Sequence, residues 1–266
     1  MYEAFYDLEK TPFSRSIPTN DLYMPPEFEE ILNRLHYVVD RQLFAVITGD
    51  CGTGKTTLLR KFNDTLNTGK YKLLYVSDSK LTPRNFYRYM LEQLGYQAKF
   101  YRGDAKRQLH QEIEIMKAVQ GVRPVCVCDE CHLMDREMLE EVRFLLNMKL
   151  DSESPMGLVL VGQTELWNKL QTQAYTAIRQ RIDIQSTLNH YDRSQTSGYI
   201  EHQLQTAGRT SEIFTDAAID KIHQYSAGTA RLIDKVCTSL LLYGSQSKKK
   251  IIDDHAVKYV LECEFA

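Results

Sequence analysis

Gly49-Asp50-Cys51-Gly52-Thr53-Gly54-Lys55-Thr56 carries the spacing G-x-x-x-x-G-K-S/T, with a second hydroxyl at Thr57. Glycines let a backbone curl until its N–H groups converge on phosphate oxygens, and a helix opening at Lys55 adds partial positive charge. The lysine of such a loop reaches the β- and γ-phosphates, and the hydroxyl beside it ligates magnesium. The chemistry implied is binding of ATP with Mg2+: Gly49 through Thr57 as nucleotide contacts, Lys55 on the phosphates and Thr56 on the metal. A second cluster, Val125-Cys126-Val127-Cys128-Asp129-Glu130, is an apolar run that ends in two carboxylates. Adjacent acids suit two different tasks, Asp129 holding magnesium and Glu130 polarising an attacking water. The alternative for this pair is a solvated strand end.

For the two clusters to meet, each must sit at the C-terminal end of a strand in one parallel sheet. The apolar pattern supplies such strands at Leu43–Thr48, Lys72–Ser77, Val125–Cys128 and Gly157–Gly162. Helical spacing starts at Pro26 with Phe28, Ile31, Leu32, Leu35, Val38 and Val39, and returns over Lys55–Leu66, Pro83–Leu94, Gln108–Val119 and Asp135–Met148. Helices alternating with short apolar strands predict an α/β domain. Beyond about residue 188 only helical patterns remain: Ser194–Ala207, Asp216–Tyr225, Ala230–Gly244 and Asp253–Glu262. The expected division is an irregular N-terminal arm over 1–25, with turn signals at Thr11-Pro12 and Pro25-Pro26, a phosphate-loop core over 26–188, and a helical unit over 189–266.

The 266 residues are 43% apolar, enough for a packed core, and the formal charge of −2 excludes a protein that holds nucleic acid by bulk charge. No window approaches the ~18 apolar residues of a membrane span, and the first residues lack the pattern of a signal peptide. Six cysteines in a chain of this length are expected as reduced thiols, which places the protein in the cytoplasm with no membrane partner. Cys126, Cys128 and Cys131 raise a metal site as one alternative and buried small side chains as the other, and no second Cys/His pair has ligand spacing. Asp129-Glu130-Cys131-His132 also has the letters of a helicase box, but only helices follow the sheet where a second motor domain would be needed.

Taken in order, these residues resemble the AAA+ ATPases, and more closely the ExeA-like branch and the transposition ATPases of the TnsC, TniB and MuB kind. The resemblance includes Phe5-Tyr6-Asp7-Leu8, Thr11-Pro12-Phe13, Tyr23, the phosphate loop and Glu140-Glu141-Val142-Arg143-Phe144-Leu145-Leu146-Asn147. It resumes at Val161-Gly162-Gln163-Thr164-Glu165-Leu166, Arg179-Gln180-Arg181-Ile182, Phe214-Thr215 and Ser226-Ala227-Gly228-Thr229-Ala230-Arg231. It implies an α/β core with a central parallel sheet followed by a small helical lid. It assigns Gln163 as a polar sensor of the γ-phosphate and Arg231 as the lid's sensor arginine, although Gly228-Thr229-Ala230-Arg231 stands where the family usually has Gly-x-Pro-Arg. Arg179 and Arg181 fall in the region of the arginine finger that one subunit inserts into the next, with Arg181 favoured. The implied catalytic set is therefore Lys55, Glu130, Gln163, Arg179, Arg181 and Arg231. Tyr23 and Met24 match the region where the arm meets the adenine, where stacking and plain packing both stay open.

Charge is unevenly distributed. Lys80–Arg107 holds seven basic residues against two acids, a net charge of +5, which leaves −7 for the remainder. Phe86, Tyr87, Tyr89, Tyr96, Phe100 and Tyr101 are interleaved. One expectation is a basic lining near the centre of a ring or filament of subunits, with Lys80, Arg84, Lys99 and Arg102 on the phosphates of double-stranded DNA and no sequence preference. The other is a solvated helix face with aromatics in the core. Two functions follow: an oligomeric DNA-binding ATPase that regulates transposition with a transposase partner, or an ATPase that energises a secretion or envelope-assembly system. The end of the chain at Ala266 without a membrane span favours the first.

Overall fold

The computed structural model describes residues 2–78, 80–146, 154–209 and 211–265. They divide into two compact units, one of residues 27–51 and 55–188, the other of 1–26, 52–54 and 189–266.

The first unit is built on five parallel strands, β1 (Phe44–Gly49), β2 (Tyr71–Val76), β3 (Arg123–Cys128), β4 (Gly157–Gly162) and β5 (Ile184–Leu188), in the order β2-β3-β4-β1-β5. Every residue of β1 and β4 is buried, as a central parallel strand covered on both faces must be. Phe44, Val46, Leu74, Val76, Cys126, Cys128, Leu158 and Leu160 point into one core cluster, and their neighbours Ala45, Ile47, Val127, Val159 and Val161 are buried on the other face. Helix α2 (Pro26–Arg41) buries the predicted stripe Phe28, Ile31, Leu32, Leu35, Val38 and Val39. The α/β architecture expected from sequence is the one observed.

Several elements differ from expectation. Strand β5 is not predicted, because Gln185, Ser186 and Thr187 break the apolar run and an edge strand needs only one buried neighbour. Helix α5 runs Arg102–Ile115 and not from Gln108; its buried stripe Ala105, Leu109, Ile113 begins with a small residue, and Gly103 weakens the helical signal. It continues into a π-helical turn, Met116–Gln120, that ends at Gly121. Helices α3 (Lys55–Thr65), α4 (Pro83–Gln93) and α6 (Arg136–Leu145) lie within a residue or two of expectation at the ends described; the expected last turn of α6, at Asn147 and Met148, falls outside the described residues. The short helices α7 (Thr164–Gln171) and α8 (Thr176–Arg179) complete the unit.

In the second unit, α9 (Arg193–Thr206), α10 (Asp216–Ser226), α11 (Ala230–Gln246) and α12 (Asp254–Glu264) surround a core that includes Ile200, Ile219, Ile233, Leu240 and Val257. The N-terminal arm packs into the same core. Its short helix α1 (Tyr2–Phe5) leads to Tyr6, which is fully buried with its hydroxyl on the Lys249 carbonyl at 2.9 Å. Phe13 donates its N–H to Gln203 Oε1 at 3.2 Å, and Asp7 pairs with Arg209.

Candidate active site

Strand order decides which residues meet. β4 lies between β1 and β3, so the loop after β1, the end of β3 and the end of β4 share one edge of the sheet, adjacent strands being about 4.8 Å apart. These three ends carry the phosphate loop, Asp129-Glu130 and Gln163.

The loop curls through Gly52 at φ 87° and Gly54 at φ 100°, backbone positions that a Cβ disfavours. Lys55 is buried to 7% exposure at the start of α3, and its Nζ donates to the carbonyls of Gly49 at 2.8 Å and Asp50 at 2.9 Å. Burial pulls this ammonium below its ordinary pKa, and the negative charges of Glu130, Cys51, Asp129 and Asp50 oppose that shift. Thr164 Oγ1, at the start of α7, donates to Asp50 Oδ1 at 2.5 Å, tying the loop to the end of β4.

Asp129 is buried at the end of β3, and its N–H donates to the Val76 carbonyl at 2.8 Å. Oδ1 accepts the Glu130 N–H at 2.8 Å, while Oδ2 accepts the Tyr75 hydroxyl at 2.9 Å and the Thr56 hydroxyl at 3.4 Å. Burial, reinforced by Asp129, pushes the Tyr75 hydroxyl well up, so it stays a donor. A hydroxyl beside a buried carboxylate is a hard-oxygen donor set that fits magnesium, which usually keeps several waters and takes one or two protein oxygens plus phosphate oxygens. Thr56 and Asp129 would hold the ion, and bound there it would neutralise phosphate charge. Glu130 follows with a left-handed backbone, φ 54° and ψ 31°, and a half-exposed carboxylate. Gln163 caps α7 at the end of β4. Lys55, Thr56, Asp129, Glu130 and Gln163 are thus held within one unit.

The other sequence candidates lie elsewhere. Arg179 Nη1 donates to the Gln171 carbonyl at 2.8 Å, closing the C-terminus of α7. Arg181 lies past the end of α8, with its N–H on the Ile178 carbonyl at 3.0 Å, so the two arginines do not share a helix. In the second unit, Arg231 opens α11 and donates its N–H to the Gly52 carbonyl at 3.3 Å. Tyr23 packs edge-on against Tyr191 and Tyr199, with ring centroids 5.8 and 5.9 Å away, and against His202. Cys126, Cys128 and Cys131 are buried, the Cys126 and Cys128 sulfurs 3.7 Å apart and the Cys131 thiol on the Cys128 carbonyl at 3.1 Å.

The basic segment is more internally paired than its net charge suggests. Arg102 is not a loop cation: it sits in the first turn of α5, paired with Glu137 and with the buried Glu141. Lys106 Nζ reaches Glu141 at 3.0 Å, and the buried Tyr87 hydroxyl donates to the same carboxylate. Arg88 pairs with Glu92 and Arg107 with Asp104. Arg84 lies 4.2 Å over the Phe100 ring. Lys80 and Lys99 are exposed, as are Tyr89, Tyr96, Phe100 and Tyr101, whereas Phe86 and Tyr87 belong to the core.

Three contributors to this edge are missed from sequence. Tyr75 pairs with Val127, two residues before Asp129, a register that only the strand order reveals. Thr164 carried no local signal for its bond to Asp50. His132 was visible only as a letter of the helicase-like box.

Residues 39–170 match the AAA domain family model. General secretion pathway protein A of Aeromonas hydrophila is 30% identical over 246 residues, which cover 91% of this chain and 44% of that protein. This chain therefore spans less than half the length of its curated relative. Among solved structures, Drosophila ORC bound to DNA matches with a TM-score of 0.69 at 20% identity, covering 100% of this chain and 66% of that one. Cdc6p from Pyrobaculum aerophilum matches at 0.68 and 17% identity over 94% of this chain and 69% of that one. The RuvB branch-migration motor of Thermotoga maritima matches at 0.56 and 18% identity over 88% and 68%. At these identities the structures show the fold.

Proposed function

We propose that this chain, whose residues 39–170 match the AAA domain family model, hydrolyses ATP with Mg2+ and uses the cycle to energise a secretion or envelope-assembly system. The observation that carries the hydrolytic part is the convergence of Lys55 and Thr56 with Asp129 and Glu130 on one sheet edge. Lys55 binds the phosphates and Glu130 polarises the water. The setting is supported by the similarity to general secretion pathway protein A, which extends over 91% of this chain. The weight that the end at Ala266 lent to the transposition reading falls away, because the relative is more than twice as long. Among the described residues no helix is long and apolar enough to cross a membrane.

Glu130→Gln should keep ATP binding and stop turnover; turnover at the wild-type rate would remove Glu130 from its role. Deletion of the gene should impair export, restored by the wild-type gene and not by the Glu130→Gln gene. Assembly with further copies of the chain is part of the proposal, Arg181 of one subunit reaching the γ-phosphate bound to the next. A charge-assisted contact of about 2 kcal/mol would shift assembly by about 30-fold. Sedimentation that is identical in ATP and ADP would overturn it.

A second reading, a cytoplasmic transposition regulator that binds duplex DNA and a transposase, is favoured by one observation: Lys80, Lys99, Phe100 and Tyr101, all in the segment after β2, are each exposed. Fluorescence anisotropy on two unrelated duplexes, in ATP and over a salt series, separates the two. Binding that needs ATP and weakens steeply with salt supports the second reading, and no binding at low salt removes it.

A further inference from the structure

His132 lies on the 3-10 turn Cys131–Leu133, directly after Glu130, and the hydrolytic scheme leaves it unused. Its Nδ1 accepts the Gln163 backbone N–H at 3.4 Å and stands 3.5 Å from Glu130 Oε2. The two side chains are unequally held: that of His132 is 11% exposed and that of Glu130 45%. Gly162 makes the approach possible, because a Cβ there would fall 3.1 Å from the His132 N and 2.9 Å from Leu166 Cδ2. Glu130 itself has a left-handed backbone that a non-glycine residue adopts only when its surroundings impose it. One restraint is the bond from its N–H to Asp129 Oδ1.

A neutral imidazole has one acceptor nitrogen. With the Gln163 N–H on Nδ1, the ring proton is on Nε2, and Nδ1 has nothing to donate to the neighbouring carboxylate. A carboxylate oxygen facing that lone pair gains no bond, so Glu130 is kept from settling onto the turn. We infer that His132 is a positioning residue for hydrolysis, which holds the end of β4 through the Gln163 N–H and so keeps the Glu130 carboxylate free for water. A shift of the strand end at Gln163, the residue proposed to touch the γ-phosphate, is then felt at Glu130. This inference rests on the assignment of Glu130 as the water-polarising group.

The test uses the full chain, with His132→Ala and His132→Asn beside Glu130→Gln. An Asn places Oδ1 near the position of Nδ1 and can still accept the Gln163 N–H. His132→Ala should lower kcat by about tenfold or more while KM for ATP stays within about twofold, and His132→Asn should recover most of the rate. A kcat equal to wild type in His132→Ala, or a parallel loss in kcat and KM that Asn does not rescue, overturns the inference. If Glu130→Gln is inactive at the same time, the ATPase assignment stands without it; if Glu130→Gln turns over normally, the assignment of Glu130 fails first. A second readout needs no turnover and no variant. Imidazole 15N spectra of the nucleotide-free protein at pH 8 should show His132 protonated at Nε2 and bare at Nδ1, and the opposite tautomer overturns the geometry.

Discussion

The sheet edge that carries Lys55, Asp129 and Glu130 and the basic segment from Lys80 to Arg107 were both conspicuous in the sequence, and they fared differently. At the edge, each residue is fixed by a strand end or a helix start, and most of its neighbours are backbone groups or residues of the same motif set. Lys55 rests on two loop carbonyls, and Asp129 gathers Thr56, Tyr75 and the next peptide N–H. In the basic segment the count of charges gave no account of their partners. Glu141, between 35 and 54 residues away in sequence, gathers Arg102, Lys106 and Tyr87, so that part of the +5 is internal. Spacing reports geometry because a backbone enforces it, whereas summed charge does not.

The largest expected effect lies at the edge. Lys55→Ala removes the buried ammonium, and affinity for ATP should fall by about a thousandfold, or about 4 kcal/mol. Fluorescent-nucleotide titration measures it. A loss below about tenfold would mean that the loop backbone alone holds the phosphates, and the edge would lose its contrast with the basic segment.

Next comes the stability anchored by Glu141. Breaking a buried, multiply bonded charge costs about 3 kcal/mol, so Glu141→Ala should lower the denaturant midpoint clearly, while Arg102→Ala, whose side chain is 49% exposed, should cost about 1 kcal/mol or less. The pH dependence has a definite direction. Burial tends to raise the Glu141 carboxyl, but the bonds from Tyr87, Lys106 and Arg102 outweigh it and hold the folded carboxyl below its ordinary range. An unfolded Glu titrates near about 4.3, so the contribution is fully present above that pH and is lost as pH falls through the folded value. Urea unfolding at pH 7 and below about pH 4 should show the gap between wild type and Glu141→Gln narrowing in acid. A gap that stays constant would place the stabilisation elsewhere.

What could be read from sequence follows the same division. The alternation of helices with the apolar runs of β1, β3 and β4 specified the core, because strands buried on both faces are mostly apolar. The phosphate loop and Asp129-Glu130 were legible for the same reason, each being local in the chain and placed by a strand end. Tyr75, Thr164 and His132 were not, since their roles depend on which strand ends are neighbours, and the order β2-β3-β4-β1-β5 is not written in any local pattern. Strand β5 and the first turn of α5 were hidden by polar or small residues at positions that need little burial. The pairing of Arg102 was hidden by distance along the chain.

A smaller effect concerns the cations of the segment that remain exposed. If the second reading holds, Lys80→Ala with Lys99→Ala should weaken binding to two unrelated duplexes equally and reduce the salt slope by about 1 for each phosphate that is no longer neutralised. Arg102→Ala should change that slope less, because its guanidinium is already committed to Glu137 and Glu141. Equal effects of all three would show that the ion pairs open on binding, and would narrow the contrast between the two regions.

The smallest effect expected in the isolated protein is at Phe100. It is 67% exposed, and its ring lies 4.2 Å from the Arg84 guanidinium. A cation over an exposed ring is worth about 0.5–1 kcal/mol, and little further burial is lost when the ring is removed, so Phe100→Ala should move Tm by no more than about 2–4 °C. The same substitution made at Phe86, fully buried on α4, should cost about 3–5 kcal/mol. The two aromatics are interleaved in one basic segment, and only their burial distinguishes them. Phe86 is retained by the core, so a Phe100→Ala variant that unfolds normally but loses export function or DNA binding would assign Phe100 to a surface that acts on something outside the chain. A shift in Tm as large as that of Phe86→Ala would instead make Phe100 a structural residue and leave the exposed candidates as Lys80, Lys99 and Tyr101.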